Sequence, residues 1–468
     1  MQNVYATIEC IRYDSFDNTI VISCGNANLT SVYKAINANA SNPGIISKGP
    51  DKVWILNANI KVENNTNFYI NSTDTSWLKI NSTFSGVLDK EPNHILARGN
   101  LIIDSVKITS WDTNKNDYAR ANGTIPRSYI LVNYGNGTTN IANSELAHLG
   151  YQHARSFGLT YYTGAGSIIK NNKIHDLWYG FYSDGFAGGA YNITIEGNDF
   201  YNNTLYGIDP HSGTHDIIIR DNAVHNNLKG IICSTDCYNI IIESNRVFNN
   251  GRYGIKLHNN VSNSTIANNI VHDNKMDQIS IYEQANENSV YANNISGGKY
   301  GIVVVGSANN NIYENVISNS GSYGLFLNTS ASENLLHSNT VKGSLVSAIR
   351  INGSDSANNI FSNNRVSDSF HAVSVNNNTA TTFTNNTIKN IYMSGYLLSN
   401  ASEIKFNNTI FSYDICESDS TVGNKIIISD SGIISIKGVR NDTFMTYDTN
   451  DSSLKYIVDK NIILSSKL

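Results

Sequence analysis

Proline is nearly absent from this chain, with five residues in 468. A stack of hydrogen-bonded strands tolerates few missing N–H donors, so the scarcity suits an extended β fold. Charge is also sparse: Asp, Glu, Lys and Arg make up 15% of the residues and the formal net charge is −5. A nucleic-acid binder would show a strong basic excess, so that partner is excluded. An anionic carbohydrate is not, because a short local cluster of Lys, Arg and His binds one whatever the total. No run approaches the roughly 18 consecutive apolar residues of a membrane span. Met1-Gln2-Asn3-Val4 lacks the basic-then-apolar pattern of an export signal. Five cysteines are too few for a disulfide scaffold. Cys10 and Cys24 flank a plausible hairpin and could pair. Cys233 and Cys237 are too far apart in an extended strand to bond unless the chain bends there. Nothing near them completes a tetrahedral set, so no metal site is expected. Cys416 is left over.

What is abundant is Asn, Ser, Thr, Ile and Gly. Asn-X-Ser/Thr sequons recur at Asn28, Asn71, Asn81, Asn122, Asn136, Asn192, Asn263, Asn294 and Asn400 among others. They lead us to expect a glycoprotein that is extracellular or in the cell envelope, its signal missing from this chain. An apolar-X-X-Asn-X-apolar pattern places Asn at 172, 198, 222, 245, 269, 293, 315, 339, 364 and 386. A second mark, usually Tyr-Gly followed by an apolar residue, recurs with its Gly position at 180, 207, 230, 254, 278, 301, 324, 348 and 372. The two marks keep step. A period near 24 residues, with short β-branched runs and almost no helical periodicity, means one solenoid turn per repeat. The expectation is an all-β, right-handed parallel β-helix. A leucine-rich repeat would need its leucine framework, and a propeller blade about 40 residues or more.

Three segments follow. Residues 1–51 hold the hairpin and a capping helix over 29–38, with Leu29, Val32, Tyr33 and Ile36 on one face. Residues 52–390 form the β-helix, less regular to about 165. Residues 391–468, where the period fades, form an irregular β cap. If Tyr-Gly opens the same strand in every turn, the positions two and four after Gly point outward. That column reads Tyr182/Asp184, Asp209/His211, Ile232/Ser234, Lys256/His258 and Ser280/Tyr282, then turns bland at Val303/Val305 and Phe326/Asn328. Polar and titratable groups crowd a few turns about 4.8 Å apart. Arg252 and Lys229 stand at strand edges in the same region. A proline between two outward titratable residues, Asp209-Pro210-His211, is unusual in a central strand. The bland readings are a solvated groove edge for Lys256 and His258, a surface ion pair for Arg252 and simple packing for Tyr206.

At these residues the chain resembles the mannuronan C5-epimerases of alginate biosynthesis, particularly the periplasmic type, whose signature is Tyr-Gly-Ile/Phe-Asp-Pro-His-Asp on one β-helix turn. Here it stands as Tyr206-Gly207-Ile208-Asp209-Pro210-His211-Ser212. "SWDTNKN" (110–116), "LGYQHARSFGLTYY" (149–162), "LWYGFYSD" (177–184) and "DQISIYE" (277–283) look like family segments in the same order. The resemblance implies His211 as base, Asp209 as the acid beside it, Tyr206 in proton transfer and Arg252, in "GRYGI", as the carboxylate-binding cation. Lys256, His258, Tyr282, Tyr182, Asp184 and Lys229 would bind substrate. Two departures stand out: Ser212 replaces an acid, and Thr235 or a neighbour stands where the periplasmic enzymes carry an arginine.

The C5 hydrogen of a uronate is too weakly acidic to leave unaided, so the adjacent carboxylate must be neutralised. Arg252, helped by Asp209 in its protonated form and by Lys256, would do this while His211 removes the proton. Tyr206, or a water held by it, would reprotonate the opposite face. No cofactor is required, calcium being admitted as a ligand of the polymer or of a loop. The expected partner is an anionic polysaccharide, and the expected state a monomer. Two rivals remain: a lyase, if the intermediate expels the 4-O-glycosidic oxygen, and a non-catalytic carbohydrate-binding or cell-surface β-helix. A glycosidase lacks an acid/base partner for Asp184 and Asp209.

Overall fold

The computed structural model describes residues 10–38, 44–84, 86, 91–120, 125–186, 189–402 and 404–407, with short strands beyond, the last being Tyr456–Val458. The chain divides into two compact units, residues 1–228 and 229–468.

The first unit opens on an antiparallel hairpin, Ile11–Asp14 against Thr19–Ile22, closed by a Cys10–Cys24 disulfide. Helix α1, Leu29–Asn37, follows and buries Leu29, Val32 and Ile36. Asn28 caps it: its side chain accepts the Ser31 N–H at 2.9 Å, and Ser31 Oγ accepts the Asn28 N–H at 2.8 Å, which satisfies donors that a helix start otherwise leaves open. Ala38 is the cap beyond the last turn. Tyr33, expected on the buried face, is only half-buried and sits edge-on to Trp54.

Thereafter the strands of the first unit pair in parallel, turn upon turn, apart from two antiparallel pairs, Ile46–Lys48 with Val53–Leu56 and Lys107–Asp112 with Asp117–Tyr118. Ile141, Ile169, Ile195 and Ile219 stand in register on successive strands and are fully buried. Each such side chain contributes about 1.5–3 kcal/mol of hydrophobic stabilisation. Asn172, Asn198 and Asn222 form the expected ladder: Asn172 N–H donates to Asn198 Oδ1 and Asn198 N–H to Asn222 Oδ1, both at 2.9 Å.

The second unit repeats this more regularly. Asn245, Asn269, Asn293, Asn315, Asn339, Asn364 and Asn386 are linked in order by backbone N–H to side-chain Oδ1 bonds of 2.9 to 3.1 Å. A second row at Asn288, Asn310, Asn334 and Asn359, not singled out in the sequence, does the same at another corner. Asparagine has a further use here. The residue before each Asn of the first row takes positive φ, as at Asn268 (56°), Glu314 (55°) and Asn363 (54°), a conformation that asparagine tolerates better than most residues. Past residue 390 the described strands remain parallel: Ser394–Ser402 pairs with His371–Thr379, and Ile404–Asn407 with Thr382–Thr384. Cys233 and Cys237 are buried thiols, Cys237 donating to the Ser234 carbonyl.

Candidate active site

In the first unit the strand Tyr206–His211 runs beside Tyr179–Asp184, with Asp209 opposite Tyr182 and His211 opposite Asp184. Strand alternation sends Ile208 into the core and Asp209 and His211 to the other face. The Tyr-Gly mark has a steric origin at Gly180, where a Cβ would sit 2.4 Å from the Gly207 carbonyl oxygen.

The expected open face is in fact roofed. Asp209 is 2% exposed and Tyr182 7%. The tyrosines that open each strand fold across it: Tyr179 meets Tyr206 edge-on at 4.6 Å, and Phe157 stacks on Tyr179 at 4.6 Å. Tyr182 lies 5.8 Å from the His211 ring, and its hydroxyl donates to Asp184 Oδ2 at 3.3 Å. The alternation rule gives direction but not what packs above, so this cover was invisible in the strand pattern.

The roof sets the acid–base properties. Burial lowers the His211 pKa below its ordinary value, opposed by the Asp184 carboxylate; the imidazole is therefore neutral at pH 7. Burial, then the charge of Asp209, pushes the Tyr206 phenol up to about 12. Tyr179 and Tyr182 are raised by burial first and then by the nearby carboxylates. A neutral base thus sits among phenols that hold their protons. Ser212, a departure from the family pattern, is nearly buried at φ +50° with its Oγ bonded to His211 Nδ1. In the tautomer in which Nδ1 donates to Ser212 Oγ, the lone pair lies on Nε2.

Sequence reasoning missed the cation of this cluster. Arg155 takes a left-handed φ of 69°, bonds the Tyr134 hydroxyl and lies over the rings of Tyr134 and Tyr162 at 5.4 and 5.7 Å. Tyr162 in turn is 6.2 Å from Tyr182. The available signal was its place in the segment "LGYQHARSFGLTYY", which carries a resemblance without saying which residue matters.

In the second unit, Lys256 stands opposite Ser280 and His258 opposite Tyr282. Lys256 Nζ lies over Tyr282 and Tyr253 at 4.2 and 4.8 Å, and Arg252 over Tyr253 at 5.8 Å. Burial depresses the Lys256 ammonium to about 8; Asp277 and Glu283 oppose this, while Lys229 and Arg252 add to it. His258 Nε2 meets Glu283 at 3.1 Å, and its pKa is lowered, chiefly by burial. Asp277, 1% exposed and also missed, accepts the Tyr282 hydroxyl at 3.2 Å and is raised by burial. The second unit therefore gathers Lys256, His258, Tyr282, Arg252 and Lys229 as expected, with Asp277 beneath them. Ser280, Ile232 and Ser234, in the same column, are buried. Among the described residues no group of three or more His, Cys, Asp or Glu is placed to hold a metal ion.

Comparison with known proteins bears on this arrangement. The family described as "Right handed beta helix region" matches residues 94–271 and 259–372. The chain is similar to the mannuronan C5-epimerase of Pseudomonas fluorescens, 37% identical over 243 residues, covering 49% of this chain and 45% of that protein. It is likewise similar to mannuronan C5-epimerase AlgG of Azotobacter vinelandii, 34% identical over 236 residues, covering 47% and 43%. The chain thus spans about half the length of the curated relatives it matches. Among solved structures, the periplasmic alginate epimerase AlgG superposes with a TM-score of 0.66 at 22% identity, over 79% of this chain and 85% of that one, a likeness of fold.

Proposed function

Since the chain belongs to the right-handed β-helix family, whose strands repeat one face turn after turn, we propose that it is a polyuronate C5-epimerase converting β-D-mannuronate to α-L-guluronate within a polymer. The observation that carries this reading is His211: a half-buried, neutral imidazole held at Nδ1 by Ser212, among phenols that keep their protons. The identities to curated mannuronan C5-epimerases support it.

In this reading His211 Nε2 takes the C5 proton. The negative charge that develops is spread into the carboxylate, and a positive or hydrogen-bonding group there lowers the barrier. Arg252 keeps the carboxylate role implied by the segment "GRYGI", helped by Lys256, with Asp209 as the acid beside the base and Arg155 as a further cation. Tyr206 returns a proton to the opposite face, a transfer suited to a phenol that is protonated at neutral pH. Asp184, Tyr182, Lys229, His258 and Tyr282 contact neighbouring sugars. The scheme requires no cofactor, calcium serving only the polymer or a loop. The protein acts as a monomer in the cell envelope or outside the cell, as a periplasmic structural relative suggests.

The test is proton NMR of polymannuronate incubated with the protein in deuterated water. Guluronate carrying deuterium at C5 without new chain ends is the expected result. Unsaturated ends would make the protein a lyase. Unchanged spectra with this and other uronans would leave only a carbohydrate-binding role.

A further inference from the structure

A second groove lies in the first unit, on a corner of the coil that none of the residues above line. Its volume is about 500 Å³, and Lys52, Lys107, Lys173, Glu145, Asn143 and Asn171 are among its walls. The corner joins strands Asn100–Asp104 to Lys107–Asp112, Thr139–Ala142 to Glu145–Ala147, and Ile168–Lys170 to Lys173–His175. Backbone bonds connect Ser76 to Lys52, Lys107 to Ser76, Glu145 to Val106 and Lys173 to Ser144. Four steps of about 4.8 Å separate Lys52 from Lys173, so the basic stretch runs roughly 19 Å along the coil.

The charge balance of this groove is positive. Its lining acid, Glu145, is already held by Lys107 at 2.7 Å and His175 at 3.3 Å. Lys52 is exposed, its ammonium bonded to the neutral carbonyl of Ser72. Lys173 is exposed and makes no ion pair among the described residues. Asp104, just outside the lining, accepts from the Asn143 amide at 2.9 Å. The same strand-opening position in the second unit reads Arg246, Ile270, Asn294, Val316, Thr340, Arg365 and Thr387, so four consecutive turns carry no charge there. The lysines are therefore not a demand of the fold, which builds this corner without them.

The geometry points to a second, non-catalytic groove for an acidic polysaccharide, Lys52 and Lys173 meeting carboxylates of sugars several residues apart and the corner amides meeting hydroxyls. The groove keeps a long polymer on the protein between encounters with the candidate active site. Only the identity of the polymer rests on the epimerase reading.

The experiment is affinity electrophoresis of the whole protein through gels containing polymannuronate, polyglutamate or neutral dextran, at two salt concentrations. Wild type, Lys52→Ala/Lys173→Ala and His211→Ala are run side by side. Both lysines are exposed, so the double variant folds normally. The groove predicts that the double variant binds polymannuronate on the order of 3- to 10-fold more weakly, with a smaller salt dependence, while turnover of a short oligomannuronate is unchanged. Equal retardation of the double variant and wild type would overturn the proposal. Retardation by polyglutamate as strong as by polymannuronate would overturn the saccharide assignment. Retardation does not depend on turnover, so absence of C5 exchange tells against the epimerase reading alone.

Discussion

Two pairs of strands in this protein begin alike and end differently. Tyr179–Asp184 and Tyr206–His211, in the first unit, start with Tyr-Gly and continue with Tyr182/Asp184 and Asp209/His211. Tyr300–Val305 and Tyr323–Asn328, in the second, also start with Tyr-Gly but continue with Val303/Val305 and Phe326/Asn328. In both units the Tyr-Gly glycines serve a close backbone approach: a Cβ on Gly180 would sit 2.4 Å from the Gly207 carbonyl, and one on Gly301 2.5 Å from the Gly324 carbonyl. In both, aromatic rings lie over the strand, Tyr300 stacking on Tyr323 at 5.6 Å. The opening dipeptide and the inward residues are scaffold. The two outward positions are where these strands differ, and the scaffold accepts valine there as readily as histidine.

The sharpest way to break this comparison is His211→Ala. Turnover of polymannuronate should fall by roughly 10²–10⁴-fold, the usual worth of a general base, with binding to the polymer kept in an affinity gel. Residual activity within a factor of a few of wild type would move the base elsewhere. Next comes Asn293→Ala in the scaffold. Asn293 accepts two bonds from Asn269 and donates to Ile266, Tyr291 and Asn315. Its loss should cost about 2–4 kcal/mol in denaturant unfolding, because buried partners are orphaned. The rate per folded molecule should not change.

A pH profile of turnover is the third test. His211 must be neutral, and burial sets its pKa below the ordinary 6.5, so the rate should hold below pH 6.5 and fall once the pH drops through that lowered value. Lys256 is charged only below about 8, so the rate should fall again above that pH. Lys256→Arg should move the alkaline limb upward, and an unmoved limb would remove Lys256 from the mechanism. The smallest effect is expected from Val305→Ser, an outward change on a bland strand: turnover and stability should stay within about twofold and 0.5 kcal/mol.

Much of this was legible in the sequence for a physical reason. A solenoid repeats its hydrogen bonds, so the asparagines that make them recur; the row at 245, 269, 293 and 315 is read directly as a ladder. The strand YGIDPH was likewise visible through its proline and its paired titratable residues. Properties set by residues outside the strand were not. Asp209 is 2% exposed although alternation sends it outward, and His211 is bonded to a serine that looked like a defect in the pattern. Arg155 belongs to a non-repeating loop, where no period constrains its direction. Asp277 was hidden because it opens its strand where other turns carry tyrosine.

The asparagine rows have a consequence for how such a chain changes length. In the second unit consecutive rungs are 24, 24, 22, 24, 25 and 22 residues apart, yet each bond is the same. The corners take up the slack, and the rungs do not notice. Duplicating one whole coil would present every neighbour with the partner it already has, whereas moving a single rung out of line would strand the groups on both sides. Growth is therefore quantised: the molecule lengthens by whole coils, like beads added to a string.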